Sequence, residues 1–182
     1  MSKVNVVVID PGHGGEDNGA SYGYEDEDDI ALSISYLLRC ELKASNILAF
    51  LTRERDEFLS LQDRCSFANN LPADLFVSIH CDAWHQETVK GISTHIYRES
   101  SKASITFAEA IQNSLLSVFP NHLNRGVKKA GFYVLKHTNM PAVLVECEFI
   151  SNPETRKFLK EPENQLALAK ATKEGIIKGG TG

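Results

Sequence analysis

The stretch VNVVVIDPGHGG, residues 4–15, contains the two features that decide the fold of this chain. Residues 4–9 form a mostly β-branched apolar run, which is typical of a strand buried on both faces of a parallel sheet. The run stops at Asp10, Pro11 and Gly12, which favour a turn, and His13 follows directly. Because ligands of open α/β sheets lie outside the carboxyl ends of the strands, this turn is a candidate functional position.

Along the rest of the chain, apolar strand-like runs alternate with amphipathic helical stretches. This alternation predicts a single α/β domain over residues 1–178. The sequence GGTG at residues 179–182 predicts a flexible, linker-like tail. Further strands are predicted at residues 47–51, 75–79, 92–97, 132–135 and 142–145, and helices at 30–42, 60–68 and 103–118, with one short and one longer helix within 153–177.

Composition excludes several classes of protein. The 182 residues are 42% hydrophobic, enough for a sizeable core, and the net charge of -5 without a basic run argues against nucleic-acid binding. No apolar run approaches the roughly 18 residues of a membrane span, so we expect no membrane insertion. The N-terminus has no signal-peptide pattern, so we expect a chain that stays cytoplasmic until release, or one whose leader was removed. The four cysteines form no C-x-x-C pair, and we expect free thiols.

Three predicted strands end in ionisable residues that a structural turn does not need: His13, His80 and Glu146. Two imidazoles at the ends of neighbouring strands, with the acidic run 25–29 between them in sequence, favour a metal site. Two histidines and one carboxylate leave a fourth position open for water, as in hydrolytic zinc sites. Which of the five carboxylates in residues 25–29 is the ligand stays open at this point.

Glu146 follows an apolar strand, where burial should raise the pKa of its carboxyl group and favour proton transfer. An alternative role for Glu146 is a buried salt bridge to Arg125 or Lys128. Glu148, two residues further along the chain, faces the same side if the strand continues, and is a rival for the catalytic role.

The succession of motifs resembles the N-acetylmuramoyl-L-alanine amidases of the amidase-3 type, in order from about residue 4 to 177. The resemblance implies a mixed, mostly parallel six-stranded sheet with helices on both faces. It also implies one zinc ion held by His13, Glu27 and His80, with Glu146 as the catalytic carboxylate. The matching stretches are 9–15 (IDPGHGG), 27–30 (EDDI), 51–53 (LTR), 78–80 (SIH), 125–128 (RGVK), 132–135 (FYVL) and 145–152 (VECEFISN).

The reaction that the resemblance implies is hydrolysis of the amide between the N-acetylmuramic acid lactyl group and L-alanine of the stem peptide, by zinc-activated water. We therefore expect a monomer that acts on peptidoglycan in the bacterial cell wall, such as a phage lysin or the catalytic domain of an autolysin. Two alternatives remain: a zinc peptidase that cuts within the stem peptide, and a non-catalytic peptidoglycan-binding module.

Overall fold

The computed structural model describes residues 3–23 and 25–181. The strands are β1 (Val6–Pro11), β2 (Ser21–Tyr22), β3 (Glu25–Asp26), β4 (Leu48–Leu51), β5 (Leu75–Asp82), β6 (Ile92–Tyr97), β7 (Asn124–Ala130) and β8 (Ala142–Phe149). The helices are α1 (Glu27–Ala44), α2 (Leu61–Asn69), α3 (Lys102–Val118), α4 (Tyr133–His137), α5 (Pro153–Lys160) and α6 (Pro162–Thr181).

Six strands form one sheet in the order β4-β1-β5-β8-β6-β7. All neighbouring strands are parallel except β6 and β8, which are antiparallel. The prediction of an α/β domain with a mixed, mostly parallel six-stranded sheet and helices on both faces is confirmed. Strands β1, β5 and β8 run in the same direction, so their carboxyl ends meet at one edge.

The two faces of the sheet are covered to different extents. On one face α1, α3 and α6 pack against a continuous apolar cluster that includes Ile34, Ile111 and Ile176. On the other face α2 and α4 cover a smaller cluster around Phe76 and Leu144. Side chains alternate along a strand. A residue two positions after a member of the smaller cluster therefore faces the same side of the sheet, nearer the carboxyl edge.

One predicted strand is wrong. Residues 133–137 form the short helix α4, which includes most of the apolar run FYVL. The sixth strand of the sheet is instead β7, at the sheet edge. A run of four apolar residues does not distinguish a strand from a buried helical turn, and Val134 and Leu135 are buried against the α2 side of the sheet. An edge strand has only one neighbour, so β7 does not need an apolar sequence.

The prediction of a flexible tail is wrong for residues 179–181, because α6 continues through Thr181. Gly179 and Gly180 are buried, and a Cβ atom at these positions would lie 2.5 Å from Phe107 Cδ1 and 2.6 Å from Val4 Cγ2, respectively. These glycines allow α6 to pack closely on its neighbours. Gly182 lies outside the described residues.

Two expectations from composition concern the cysteines and the membrane. All four cysteines are free; Cys40 is exposed and the other three are buried. Within residues 3–23 and 25–181, no helix combines the length and the apolar character needed to cross a bilayer.

Candidate metal centre

His13 lies in the turn after β1, in a left-handed conformation with φ of 58°. Its Nδ1 atom is 2.9 Å from Asp17 Oδ2, and its Nε2 atom is 3.3 Å from Glu27 Oε2. A carboxylate on one ring nitrogen fixes the orientation of a histidine whose other nitrogen serves as a ligand. Asp17 therefore positions His13. No sequence pattern assigned a role to Asp17, although a carboxylate four residues from a candidate ligand is a signal that could have identified it.

Glu27 begins α1 and lies between the two histidines. Its Oε2 atom accepts a hydrogen bond from the Ala20 amide at 3.0 Å, and its Oε1 atom accepts one from the Cys81 amide at 3.0 Å. His80 Nδ1 is 2.9 Å from Glu27 Oε1. Both carboxylate oxygens are thus fixed by backbone donors, and Glu27 lies between the two candidate histidine ligands.

The three side chains converge. One ligand atom from each of His13, Glu27 and His80 lies within 4.8 Å of the other two, and the two imidazole centroids are 4.9 Å apart. This donor set of two imidazoles and one carboxylate fits zinc with one position left for water or substrate. The structure therefore brings together, from three distant segments, His13 and His80, which the sequence singled out, and Glu27, which the resemblance implied.

Electrostatics within this cluster favour the charged forms of His13 and Glu27. Burial disfavours a charged His13, but hydrogen bonds and charges from Glu27 and Asp17 outweigh burial and raise the pKa of His13 to about 9. Burial likewise disfavours a charged Glu27, but hydrogen bonds from both histidines hold the pKa of its carboxyl group well below the usual range. The ionised Glu27 lies where a cation would be stabilised.

Two glycines allow this close approach. A Cβ atom at Gly12 would lie 2.3 Å from His80 Cε1, inside the imidazole ring's contact distance. Gly19 has φ of +66°, and a Cβ atom there would lie 2.6 Å from Glu27 Oε2 and 2.7 Å from His13 Cδ2. No larger residue fits at either position without displacing a candidate ligand.

Two buried arginines hold the backbone of the His13 turn. Arg64 donates to the carbonyl oxygen of His13 at 2.6 Å and to Asp10 Oδ1 at 2.9 Å. Arg53 donates to the carbonyl oxygens of Gly12 at 2.7 Å and Asp28 at 2.8 Å, and so ties the turn to the start of α1. Sequence analysis noted Arg53 only as part of the motif LTR and did not identify Arg64. Both are positioning residues.

Glu146 lies opposite His80 in the ladder between β5 and β8. Its side chain is 8% exposed, and its Oε2 atom is buried without a hydrogen-bond partner. Burial, with the charges of Glu27 and Asp82, raises the pKa of the Glu146 carboxyl group well above its usual range. Within the described part of the chain Glu146 forms no salt bridge, so the alternative role as a partner of Arg125 or Lys128 is not supported.

Glu148 is not a rival for the catalytic role. An irregularity in the ladder after His80 pairs Asp82 with Phe149, which breaks the simple alternation from Glu146 to Glu148. Glu148 is buried away from the cleft, where its Oε1 atom is 2.8 Å from His122 Nδ1 and its Oε2 atom accepts the Gly91 amide at 2.6 Å. Its carboxylate is therefore already satisfied by structural partners.

The candidate site opens into a cleft on the second face of the sheet. Asp82 and Glu146 lie on its floor, and apolar side chains that are partly exposed lie on its walls. Residues 83–91, which connect β5 to β6, contain no helix, and Trp84 on this connection is 52% exposed. The apolar wall residues are Phe58, Leu61, Phe132 and Tyr133.

Comparisons with known proteins agree with this geometry. A family model described as N-acetylmuramoyl-L-alanine amidase matches residues 7–178. The amidase LytC of Bacillus subtilis is 38% identical over 172 residues, which is 94% of this chain and 34% of LytC. The amidase AmiC of Escherichia coli is 33% identical over 218 aligned residues, which cover 94% of this chain and 52% of AmiC. This chain thus spans about a third to a half of these curated relatives.

Solved structures are also similar. The crystal structure of an N-acetylmuramoyl-L-alanine amidase from Clostridium difficile 630 superimposes with a TM-score of 0.92 at 34% identity. The match covers 96% of each chain.

Proposed function

Since this chain belongs to the N-acetylmuramoyl-L-alanine amidase family, we propose that it hydrolyses the amide between the lactyl group of N-acetylmuramic acid and L-alanine of the stem peptide. The substrate is peptidoglycan in the bacterial cell wall, and the enzyme acts as a monomer. The observation that carries the proposal is the convergence of His13, Glu27 and His80 beside a buried, unpartnered Glu146.

We propose that His13, Glu27 and His80 hold one zinc ion, because two imidazoles and a carboxylate with an open position are the donor set of hydrolytic zinc sites. When bound, zinc polarises a carbonyl group and lowers the pKa of water. The chain's own contribution is rigidity: Asp17 fixes one ring of the set, and the amides of Ala20 and Cys81 fix the carboxylate.

Glu146 supplies the proton transfer. Burial raises the pKa of this carboxyl group above its usual range, which favours uptake of a proton, and the unpartnered Oε2 atom is available for the transfer. Glu146 accepts a proton from the attacking water and delivers it to the nitrogen of L-alanine, which then leaves as an amine. General acid–base catalysis of this kind accelerates a reaction by about 10²–10⁴-fold.

The test is a digest of purified cell walls followed by identification of the new amino termini. The proposal requires new L-alanine amino termini, whereas a peptidase that cuts within the stem peptide would expose other residues. A binding module would release none.

Glu146→Gln should abolish release while zinc content stays unchanged, because the side chain is not a metal ligand. Glu148→Gln is the matched control, since it removes a buried carboxylate two residues away that does not reach the cleft. Full activity of Glu146→Gln would overturn the role assigned to Glu146.

A further inference from the structure

The strand ladders place a lysine near Glu146, beside the cleft. Ser93 of β6 lies opposite Glu146, and His95, two residues along β6, lies opposite Lys128 of β7. Opposed residues and residues two apart on one strand share a face of the sheet. Glu146, His95 and Lys128 therefore lie on the same face, across three neighbouring strands.

Lys128 lies near two carboxylates but pairs directly with neither. Within residues 3–23 and 25–181 it forms no salt bridge, although the carboxylates of Asp82 and Glu146 lie close enough to influence its charge. Burial and the nearby Arg125 lower the pKa of Lys128, so the ammonium group is not stabilised by its surroundings. An anion would be stabilised here.

Arg125 adds a second cation that forms no salt bridge within the described residues, and its Nη1 atom donates to the carbonyl oxygen of Lys90 at 3.2 Å. It has no partner in the β6–β7 ladder, since Asn124 pairs with Ile92 and Gly126 pairs with Ser93. The guanidinium lies 4.9 Å from the Phe149 ring centroid, and its Nε atom is buried without a hydrogen-bond partner. Both Arg125 and Lys128 act on the charge of Asp82, which lines the cleft. We call these two residues the basic pair.

The reach of a substrate matches this arrangement. Two strand spacings of about 4.8 Å each separate Glu146 on β8 from Lys128 on β7, and Lys128 is in register, through His95, with Leu144, two residues before Glu146. With the scissile nitrogen at Glu146, two extended peptide residues reach about 7 Å further, and the lysine side chain covers the rest. A stem peptide that runs from Glu146 towards β7 would bring its second residue to this point.

We propose that the basic pair is a carboxylate-binding subsite for the second residue of the stem peptide, and that it favours peptides whose γ-linked D-glutamate keeps a free α-carboxylate over peptides in which that group is an amide. This inference rests on the proposed amidase function. A carboxylate pairs with both cations, whereas a carboxamide carries no charge and leaves them uncompensated.

The test compares two synthetic glycan–peptide fragments that differ only in this group, a carboxylate or a carboxamide. The wild-type enzyme should have a kcat/KM about tenfold higher for the carboxylate, in keeping with a hydrogen bond to a charged group. Lys128→Met should lower kcat/KM for the carboxylate about tenfold and leave the carboxamide nearly unchanged, so that the preference disappears. Thermal unfolding checks that the variant folds.

Lys129→Met is the matched control, because Lys129 is the next residue on β7, is exposed, and points to the other face of the sheet. It should keep the wild-type preference. Equal kcat/KM of the wild type for both fragments would overturn the inference and leave the amidase function intact. An equal loss on both fragments in Lys128→Met, or a preference that survives this change, would also overturn it.

Failure of the proposed function looks different: neither fragment would release a peptide with an L-alanine amino terminus. A third fragment with a carboxylate only on the third residue separates the two possible sources of the anion. If that fragment is preferred over the carboxamide to the same extent, the assignment to the second residue is wrong.

Discussion

On one side of the cleft nearly every polar atom has a partner, whereas on the other side several buried polar atoms have none. The first, which we call the ligand side, comprises His13, Glu27 and His80 with Asp17, Arg53 and Arg64. The second, which we call the open side, comprises Glu146, His95, Lys128 and Arg125.

This difference is the one expected between a metal site and a substrate site. A metal site requires fixed donors, so the ligand side is held by backbone amides, buried arginines and glycines that no other residue can replace. A substrate site requires groups whose hydrogen bonds are still to be made, and Glu146 Oε2, His95 Nδ1 and Arg125 Nε are such groups. Unpaired buried polar atoms are costly, which suggests that the open side is completed by a ligand.

The largest effect should follow from breaking the support of the ligand side. Arg64→Met leaves the buried Asp10 without its ion-pair partner and the His13 carbonyl without its donor. We expect a loss of about 3–5 kcal/mol in the free energy of unfolding, measured by urea denaturation of metal-free protein. Arg39→Met is the control, since Arg39 pairs with the exposed Glu54 and should cost less than about 1 kcal/mol. Equal losses would contradict the role of Arg64.

Removal of a ligand should come next. His80→Ala deletes one of three donors and should weaken zinc binding by more than about 100-fold, beyond the effect of losing an orienting residue. Competition with a chelator of known affinity measures this. His137→Ala, a change at the exposed end of α4, should leave zinc affinity unchanged. Retention of zinc by His80→Ala would refute the ligand set.

A pH experiment tests the open side, through the titration of His95. Burial, with the charges of Lys128 and His80, lowers the pKa of His95 from 6.5 to about 4. Between these two pH values His95 binds a proton in the unfolded chain but not in the folded chain. The neutral, buried His95 therefore contributes its full share of the unfolding free energy above pH 6.5, and this share is lost as the pH falls towards 4.

His95→Phe removes this titration and keeps a ring that can pack near Phe132. On going from pH 7 to about pH 4.5, the wild type should lose about 1–3 kcal/mol more unfolding free energy than the variant. The other titrating groups are common to both proteins and cancel in the difference. Parallel pH profiles of the two proteins would show that His95 is not held neutral by burial.

The smallest effect should come from the residue that orients a ligand. Asp17→Asn keeps the shape of the side chain but removes the negative charge next to His13 Nδ1. We expect zinc affinity to fall about tenfold, at the lower end of what such partners contribute, because Asp17 is half exposed. Glu16→Gln, at the neighbouring exposed position, should have no effect. An affinity equal to that of the wild type would mean that the His13 turn is fixed by its backbone alone.

Much of the fold could be predicted from sequence because it depends on local pattern. Five of the six sheet strands coincide with the predicted apolar runs, and the central strands β1, β5 and β8 are largely apolar because both of their faces are buried. The misassigned residues 132–135 and the overlooked β7 show the limit of this reasoning. A short apolar run fits a helical turn equally well, and an edge strand is free to be polar.

The residues of the candidate site could likewise be predicted only in part from the sequence. His13, His80 and Glu146 could be singled out because each follows an apolar strand, where a polar residue needs a reason. Glu27 was one of five carboxylates until the resemblance and then the fold selected it. Asp17 and Arg64 were not found, because their roles depend on contacts with the His13 turn that no periodicity encodes.

The sequence by itself determined five of the six sheet strands, the glycine-rich turn and the chemical types available for a metal site, because these follow from residue type and spacing. Only the tertiary structure decided which carboxylate lies between the histidines, that Glu148 faces away from the cleft, that residues 179–181 continue a helix, and that Lys128 lies beyond Glu146. These features depend on strand register and on contacts between segments far apart in the chain, which are fixed only when the sheet and its helices pack together.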